Sequence, residues 1–329
     1  MERLGAVTAG KAAGANARVA ILLSTYNGER FLPEQLASLT AQTHADWSLH
    51  WRDDGSFDRS VAMVRDFAAT IGPPRARAQP SIERAREHPS QGRLGATGSF
   101  LFLLRAARSD DAAFYAFADQ DDVWLADKLA RAVAALAPIP AGTPALYCAR
   151  QILVDETLTR IGLSPAVAHK PGFPSALIQN IAAGCTIVLN RAAAEIVLSG
   201  MPPASAYHDW WCYLVVAAAG GEVVHDPEPA ILYRQHASNV VGARATLIAR
   251  GIAALFRGPR RYMDLVRDNI AALTQQPHLL SAGHARILSD IARARNGSLW
   301  QRLSVLRDPG LRRQTPVETL WFRYAFMFF

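Results

Sequence analysis

The chain has 329 residues, 50% of them hydrophobic and 19% charged, with a formal net charge of +7. That excludes a disordered or low-complexity protein, because the apolar material is ample for a core. The charge divides unevenly: residues 1–240 hold 21 basic and 23 acidic side chains, whereas residues 241–329 hold 14 basic and 5 acidic. A near-neutral body with a cationic end predicts chemistry in the first part and attachment to something anionic in the second.

Three cysteines, Cys148, Cys185 and Cys212, are too few and too scattered for a disulfide scaffold or a zinc cluster. Cys185 and Cys212 sit in apolar runs and read as buried thiols in a reducing compartment. Residues 1–17 are Ala/Gly-rich, lack the apolar core of a signal peptide, and read as a flexible N-terminus. No apolar stretch reaches the roughly 20 residues that span a bilayer. A cytoplasmic protein, held at the inner face of the cytoplasmic membrane by its basic end, is the expectation.

The elements follow in order. Residues 18–23 are a short apolar run, predicted as a buried strand, and Pro33-Glu34-Gln35 opens an amphipathic helix to about Gln42. Trp47–Arg52 is predicted as a strand ending in Asp53-Asp54-Gly55-Ser56, with a helix from Arg59 to Ala69. This β-α-β-α alternation predicts a parallel sheet with right-handed crossovers. Residues 72–92 read as a surface loop around a weak strand. Leu94–Arg108 reads as a helix, Ala112–Ala118 as a strand and Lys128–Ala137 as a helix. Strands are expected at Ala145–Val154 and Ala182–Leu189, a helix at Asp209–Ala219, and short strands at Glu222–His225 and Ile231–Tyr233. From Ala243 onward the pattern is helical, with interruptions expected at Pro259, Pro277, Pro309 and Pro316.

Ligands of an open parallel sheet bind beyond the carboxyl ends of its strands. Three such ends carry polar clusters: Ser24-Thr25-Tyr26-Asn27, Asp53-Asp54 and Asp119-Gln120-Asp121-Asp122. The last puts three carboxylates within four residues, directly after an aromatic strand. Such crowding raises a carboxyl pKa unless a cation sits there, and a hard divalent ion with oxygen ligands relieves it. The alternative is a solvated acidic loop, against which Val123-Trp124-Leu125 follows at once. Neither a Gly-x-Gly-x-x-Gly turn nor a Walker loop is present, so a dinucleotide fingerprint and a P-loop hydrolase are excluded.

Over residues 18–240 the chain resembles the family-2 glycosyltransferases, which have the GT-A fold. Leu22-Leu-Ser-Thr-Tyr-Asn-Gly-Glu29 looks like the family's first strand and nucleotide-binding turn, and Arg52-Asp53-Asp54-Gly55-Ser56 like its second. Asp119-Gln120-Asp121-Asp122-Val123-Trp124 looks like its D-x-D metal segment. Gly184-Cys185-Thr186 and His208-Asp209-Trp210-Trp211 look like its acceptor-side loop and catalytic-base segment. The Asp-Gln-Asp-Asp-Val-Trp form, with Tyr233-Arg234-Gln235-His236 and Asn239-Val240-Val241-Gly242, is most similar to the rhamnosyltransferase-like subgroup, which builds bacterial surface polysaccharides.

The resemblance implies an α/β GT-A fold over residues 18–242, a mostly parallel sheet flanked by helices, with a helical basic appendage at 243–329. It implies an inverting, metal-dependent hexosyl transfer, with a nucleotide-diphospho sugar, dTDP-L-rhamnose, as donor. The acceptor would be a saccharide or a lipid-linked saccharide. By resemblance Ser24, Thr25, Tyr26, Asn27, Asp53, Asp54 and Asp119 contact the nucleotide sugar, Asp54 accepting from a base N–H. Asp121 binds a divalent cation, Mn2+ or Mg2+, and Asp209 is the general base. A carboxylate at a helix start is favoured as the anion, which lowers its basicity and leaves much of the catalysis to position. A plain N-cap is the other reading of Asp209.

His236 reads as a second metal ligand, a partner of the diphosphate, or an exposed loop histidine; Arg234 reads as a diphosphate contact. Gly184, Trp210 and Trp211 are placed on the acceptor side, the tryptophans either stacking on sugars or packing in the core. Lys128 balances Asp127 or Asp122. Arg93 and Ser99 stand where many relatives carry Asn, and the Gln/Arg-x-x-Arg-Trp motif of processive synthases is absent.

Beyond residue 243, arginines interleave with apolar residues, as in Leu247–Arg257, and the chain ends in Leu320-Trp-Phe-Arg-Tyr-Ala-Phe-Met-Phe-Phe329. Such segments fit an anionic bilayer surface, an ordinary helical subdomain or an oligomer interface. A nucleic-acid-binding protein is the competing class. Against it stand the absence of any nucleic-acid-binding signature and the acidic clusters of the first part. A nucleotidyltransferase would need a Gly-rich basic loop after the first strand, and none is present.

Overall fold

A computed structural model of the chain describes residues 17–73, 75–78, 93–236 and 247–329, and the side chains of all these except 247–259. The expected N-terminal segment 1–16, most of the 72–92 loop, Asn239–Gly242 and the side chains of the Leu247–Arg257 stripe lie outside the described residues.

The first half alternates as its patterning predicts: β1 (Val19–Thr25), α1 (Leu32–Thr40), β2 (Trp47–Asp53), α2 (Ser60–Ile71), β3 (Ala76–Ala78), α3 (Gly95–Ala107) and β4 (Phe114–Ala118). Strands β3, β2, β1 and β4 lie side by side and parallel. Residues along β1 point alternately to two cores. Ala20 and Leu22 pack with Phe100, Leu103 and Phe117 on one face. Val19, Ile21 and Leu23 pack with Leu36, Leu49, Val64 and Leu129 on the other.

Beyond β4 the sheet becomes mixed. The chain continues through β5 (Val123–Trp124), α4 (Lys128–Leu136), β6 (Ala145–Val154), β7 (Arg160–Leu163), β8 (Val188–Asn190), α5 (Arg191–Ser199), α6 (His208–Ala218) and β9 (Glu222–Arg234). The nine-stranded order is β3-β2-β1-β4-β8-β6-β9-β5, with β7 paired to β6. β8 runs antiparallel to both β4 and β6, and β5 antiparallel to β9.

Three segments differ from their expected form. The strand expected over Ala182–Leu189 is a 3-10 turn at Gly184–Thr186 followed by β8. Thr186 and Ile187 donate back to Ala183 and Gly184, so the turn satisfies its own backbone. The two short strands expected after residue 222 are one strand, β9, parallel to β6, with register shifts between Ala149 and Gln151. Asp226 and Pro229 flank the shift, and a proline has no N–H for the ladder, so a bulge absorbs it. Helix α7 (Leu247–Thr274) runs through Pro259 without ending there. Its apolar face (Met263, Val266, Ile270 and Leu273) is buried, which outweighs one lost backbone bond.

The last helices are α8 (Ala282–Arg295), α9 (Leu299–Val305) and α10 (Pro316–Phe328). Pro316 begins α10 after the break that follows α9. It sits at the N-terminus, where its missing N–H costs nothing, and Thr315 caps the helix by accepting from Glu318 N. Leu288, Ile291, Leu306, Phe322 and Phe326 join the same core as Leu22, Leu104 and Trp211. The basic C-terminal region is therefore packed onto the sheet domain. No described helix is long and apolar enough to cross a membrane.

Candidate active site

Parallel pairing brings the three polar strand ends together. Thr25 stands in register beside Asp53, and Leu23 beside Ala118, so the acidic segment begins next to the β1 turn. Asp53 organises the turns. Its carboxylate accepts from Thr25 Oγ1 at 2.9 Å, Gly55 N at 2.9 Å, Ser56 N at 2.8 Å and Ser56 Oγ at 2.5 Å. Those four donors bind the buried Asp53 carboxylate to the turn. Asp54 accepts from Arg52 at 2.6 Å and from the N–H groups of Leu94 and Gly95 at 2.8 and 2.9 Å, which anchors it to the start of α3. Ser99 accepts from Arg52 at 2.6 Å, and the Arg93 guanidinium lies 3.7 Å from the Tyr26 ring centroid. The two departures from the family pattern thus touch Arg52 at the end of β2 and Tyr26 in the β1 turn.

The β1 turn is strapped to the acidic segment. Tyr26 N donates to Gln120 Oε1 at 2.8 Å, and Gln120 Nε2 donates back to Tyr26 O at 2.9 Å. Asn27 has a positive φ of 48°, a conformation Asn tolerates better than most residues. A Cβ on Gly28 would lie 2.2 Å from Gln120 Oε1, so only glycine admits this pairing. Ser24 and Tyr26 are half-buried and Asn27 is exposed at the rim.

The acidic segment splits into two layers. Asp121 Oδ2 lies 2.8 Å from His236 Nε2, and His236 stacks on Phe31 with ring centroids 4.9 Å apart. Behind them Asp122 is fully buried and accepts from Arg234 N at 3.2 Å. Burial, with the charges of Asp121 and Asp119, pushes the Asp122 carboxyl well above its usual range. Asp119 is pushed up to about 7, by burial first and then by the charges of Asp121 and Asp209. Ligand atoms of Asp119, Asp122 and Cys185 lie within 4.8 Å of one another. Crowded carboxyls with raised pKa values and a neighbouring imidazole are what a divalent cation would relieve, so these residues fit one. Asp119 and Asp121, with His236 beside them, could hold it.

Asp209 lies in the first turn of α6, whose N-cap is Tyr207, so it is not the plain cap. Its carboxylate accepts from Trp210 N at 2.6 Å, and Asn180 and the Gly184 N–H also bond to it. The expected lowering of its basicity is not found: burial outweighs these bonds and pushes the carboxyl up to about 6. A Cβ on Gly184 would come within 2.6 Å of His208 Nε2, so glycine lets this turn reach Asp209. His208 packs between Phe100 and Phe117, and burial pushes its imidazole down to about 3, which keeps it neutral.

Several expected contacts face inward. Trp211 is 1% exposed and belongs to the core, so it has no face for a sugar; Trp210 is half-buried and donates Nε1 to Ala176 O at 2.7 Å. Gly184 is buried and its N–H bonds to Asp209. Arg234 is 1% exposed; its guanidinium donates to the carbonyls of Asp121 at 2.9 Å and Glu156 at 2.5 Å, and lies over Phe31. It clamps the acidic segment from behind. Lys128, expected to balance an acid, is fully buried: Nζ donates to Cys185 O at 2.8 Å and sits 3.0 Å from the Trp124 ring centroid. Burial pushes its amine well below the usual lysine value. Its place one turn after the acidic run was the only signal in the sequence.

This sheet, with its carboxylates at one end, has the GT-A fold. S. aureus TarS in complex with UDP-GlcNAc superposes with a TM-score of 0.57 at 13% identity, covering 94% of this chain and 79% of that one. The UDP complex of the same protein gives 0.53 at 12%, covering 94% and 90%. Residues 20–151 match the family model Glycosyl transferase family 2. The chain is 26% identical over 241 residues to the dTDP-rhamnosyl transferase RfbG of Shigella flexneri, covering 69% of this chain and 76% of that one. It is also 26% identical over 174 residues to the UDP-Glc:alpha-D-GlcNAc-diphosphoundecaprenol beta-1,3-glucosyltransferase WfgD of Escherichia coli, covering 53% and 60%.

Proposed function

We propose that the protein is an inverting, cation-dependent hexosyltransferase that moves L-rhamnose from dTDP-L-rhamnose to a saccharide or lipid-linked saccharide during bacterial surface polysaccharide synthesis. The observation that carries the reading is the pairing of a buried, basic Asp209 with the crowded carboxylates of Asp119 and Asp121 at one sheet end. The similarity to a dTDP-rhamnosyl transferase favours rhamnose, and the similarity to a UDP-Glc transferase makes another nucleotide sugar the second reading.

In this reading the nucleoside rests against the Ser24–Asn27 turn, with Asp54 and Asp119 on its flanks. Asp209 accepts the proton of the acceptor hydroxyl as that oxygen forms its bond to C1 of the sugar. The bond from C1 to the diphosphate breaks on the opposite face, and its electron pair leaves with the nucleoside diphosphate. A carboxyl near 6 is ionised at neutral pH yet basic enough for that task. Asn180 and the Gly184 N–H hold it in place. Asp121 and His236 would hold the cation, which when bound neutralises charge developing on the diphosphate. Arg234 keeps the acidic segment's backbone fixed. The domain would span 18–242, with 243–329 as its appendage. The basic end suggests contact with the anionic inner face of the cytoplasmic membrane.

Thermal shifts with a panel of nucleotide sugars, with and without Mn2+ or Mg2+, test the donor. The largest shift is expected with dTDP-L-rhamnose plus cation. A larger shift with another nucleotide sugar supports the second reading, and none with any of them overturns both.

A further inference from the structure

Thirteen large hydrophobic residues are markedly exposed among the described ones, and seven of them fall between Leu299 and Phe328. The other six are scattered, so this concentration marks a surface. Helix α10 carries two apolar faces. Phe322, Ala325 and Phe326 point into the core. Leu320, Tyr324 and Phe328 recur every four residues on the other side and are exposed, Leu320 at 70%. On α9 Leu299, Trp300 and Leu303 are exposed as well, Trp300 at 78%. Arg302 donates to Met327 O at 2.7 Å, which ties the two helices together. Leu303, Leu306, Leu320 and Tyr324 line one shallow groove, and Arg307 and Arg323 line it with them.

We propose that this α9–α10 face is where the protein docks on an anionic lipid surface, with Leu303, Leu320, Tyr324 and Trp300 entering the interface and Arg307 and Arg323 meeting headgroup phosphates. Charge decides the occupant. Residues 299–329 hold five arginines and two acidic residues. A second copy of the chain docked through the same face would set this arginine-rich surface against one equally rich in arginine. An anionic bilayer pairs with them instead, and Trp, Tyr and Leu suit the boundary between headgroups and acyl chains. The core side of α10 leads back to the site. Gln179 donates to Glu318 and accepts from Gln314 N, and Asn180, next in sequence, bonds to Asp209. A lipid-linked acceptor would thus be met where the membrane-facing helix is braced to the base. That use rests on the proposed transferase reading; the docking face does not.

The test is vesicle flotation with the full chain. Wild type is expected to float with phosphatidylethanolamine–phosphatidylglycerol vesicles and not with phosphatidylcholine vesicles. Each arginine near an anionic surface changes the partition about fivefold, so Arg307→Gln with Arg323→Gln should weaken it roughly thirtyfold. Leu320→Ser with Tyr324→Ser should abolish it at an unchanged melting temperature. Equal flotation with both vesicle types, or variants that float like wild type, would overturn the proposal. So would a concentration-dependent dimer that Leu320→Ser with Tyr324→Ser dissolves while vesicles are ignored. Nucleotide-sugar thermal shifts on the same samples keep the readings apart: their absence from every sample counts against the transferase, and a wild type that does not float with the anionic vesicles counts against the docking face.

Discussion

His236 Nε2 lies 2.8 Å from Asp121 Oδ2, although 115 residues separate the two. The contact closes the site from the far side of the sheet. β9 delivers His236 just past its end, and β4 delivers Asp121 just past its own. Phe31, after the β1 turn, supports the imidazole by stacking on it.

Removing that imidazole should weaken the cation site without unfolding the protein. His236→Ala is expected to lower Mn2+ affinity roughly tenfold or more. Calorimetric Mn2+ titration of wild type and variant measures it, and equal affinities would take His236 out of the site.

The raised carboxyl of Asp119 gives the cation-free protein a pH dependence with a definite sign. Its folded-state pKa of about 7 exceeds the ordinary value of 3.8, so the folded state keeps a proton the unfolded chain has lost. Stability from this group is therefore present at low pH and declines as pH rises from about 4 through about 7. A cation must displace that proton below about pH 7. Mn2+ should raise the melting temperature more at about pH 8 than at about pH 6. The reverse order would contradict a shared site.

Asp209→Asn keeps the shape of the base and removes its basicity. Turnover should fall by a factor of about 100 to 10,000 with donor affinity unchanged. In wild type, kcat should rise with pH up to about 6 and then level off, because the ionised carboxylate is the active form. A variant that turns over normally would remove Asp209 from the chemistry.

Lys128→Met tests the buried layer behind the site. The amine holds the carbonyl of Cys185, which belongs to the same turn as Gly184. Methionine fills similar volume but leaves that carbonyl without its donor, at a cost of about 1–3 kcal/mol. Denaturant unfolding should show the loss, and an unchanged midpoint would mean the contact contributes nothing.

Much of this was legible beforehand because it depends on local pattern. The apolar runs before Ser24, Asp53 and Asp119 announce parallel strands, and their ends announce the site. What was not legible depends on long-range contact. Arg234 looks like a phosphate ligand in sequence, yet the carbonyls of Asp121 and Glu156 take its guanidinium. Trp211 looks like a sugar platform, yet α6 turns it into the core beside Gly200. The 3-10 turn at Gly184 is invisible to strand periodicity, because closeness to His208 and Asp209 determines it. The basic end read as a separable tail. Phe322 and Phe326 inside the main core mean that deleting 243–329 would expose that core as well as remove the charge.

The central claim is that the carboxylates at the end of β4 hold a nucleotide sugar through a divalent cation. Titrating dTDP-L-rhamnose into wild type and Asp121→Ala, each with Mn2+ and again with excess EDTA, tests it most directly. Heat of binding is expected only for wild type with Mn2+. Equal binding by Asp121→Ala, or by wild type in EDTA, would contradict the account.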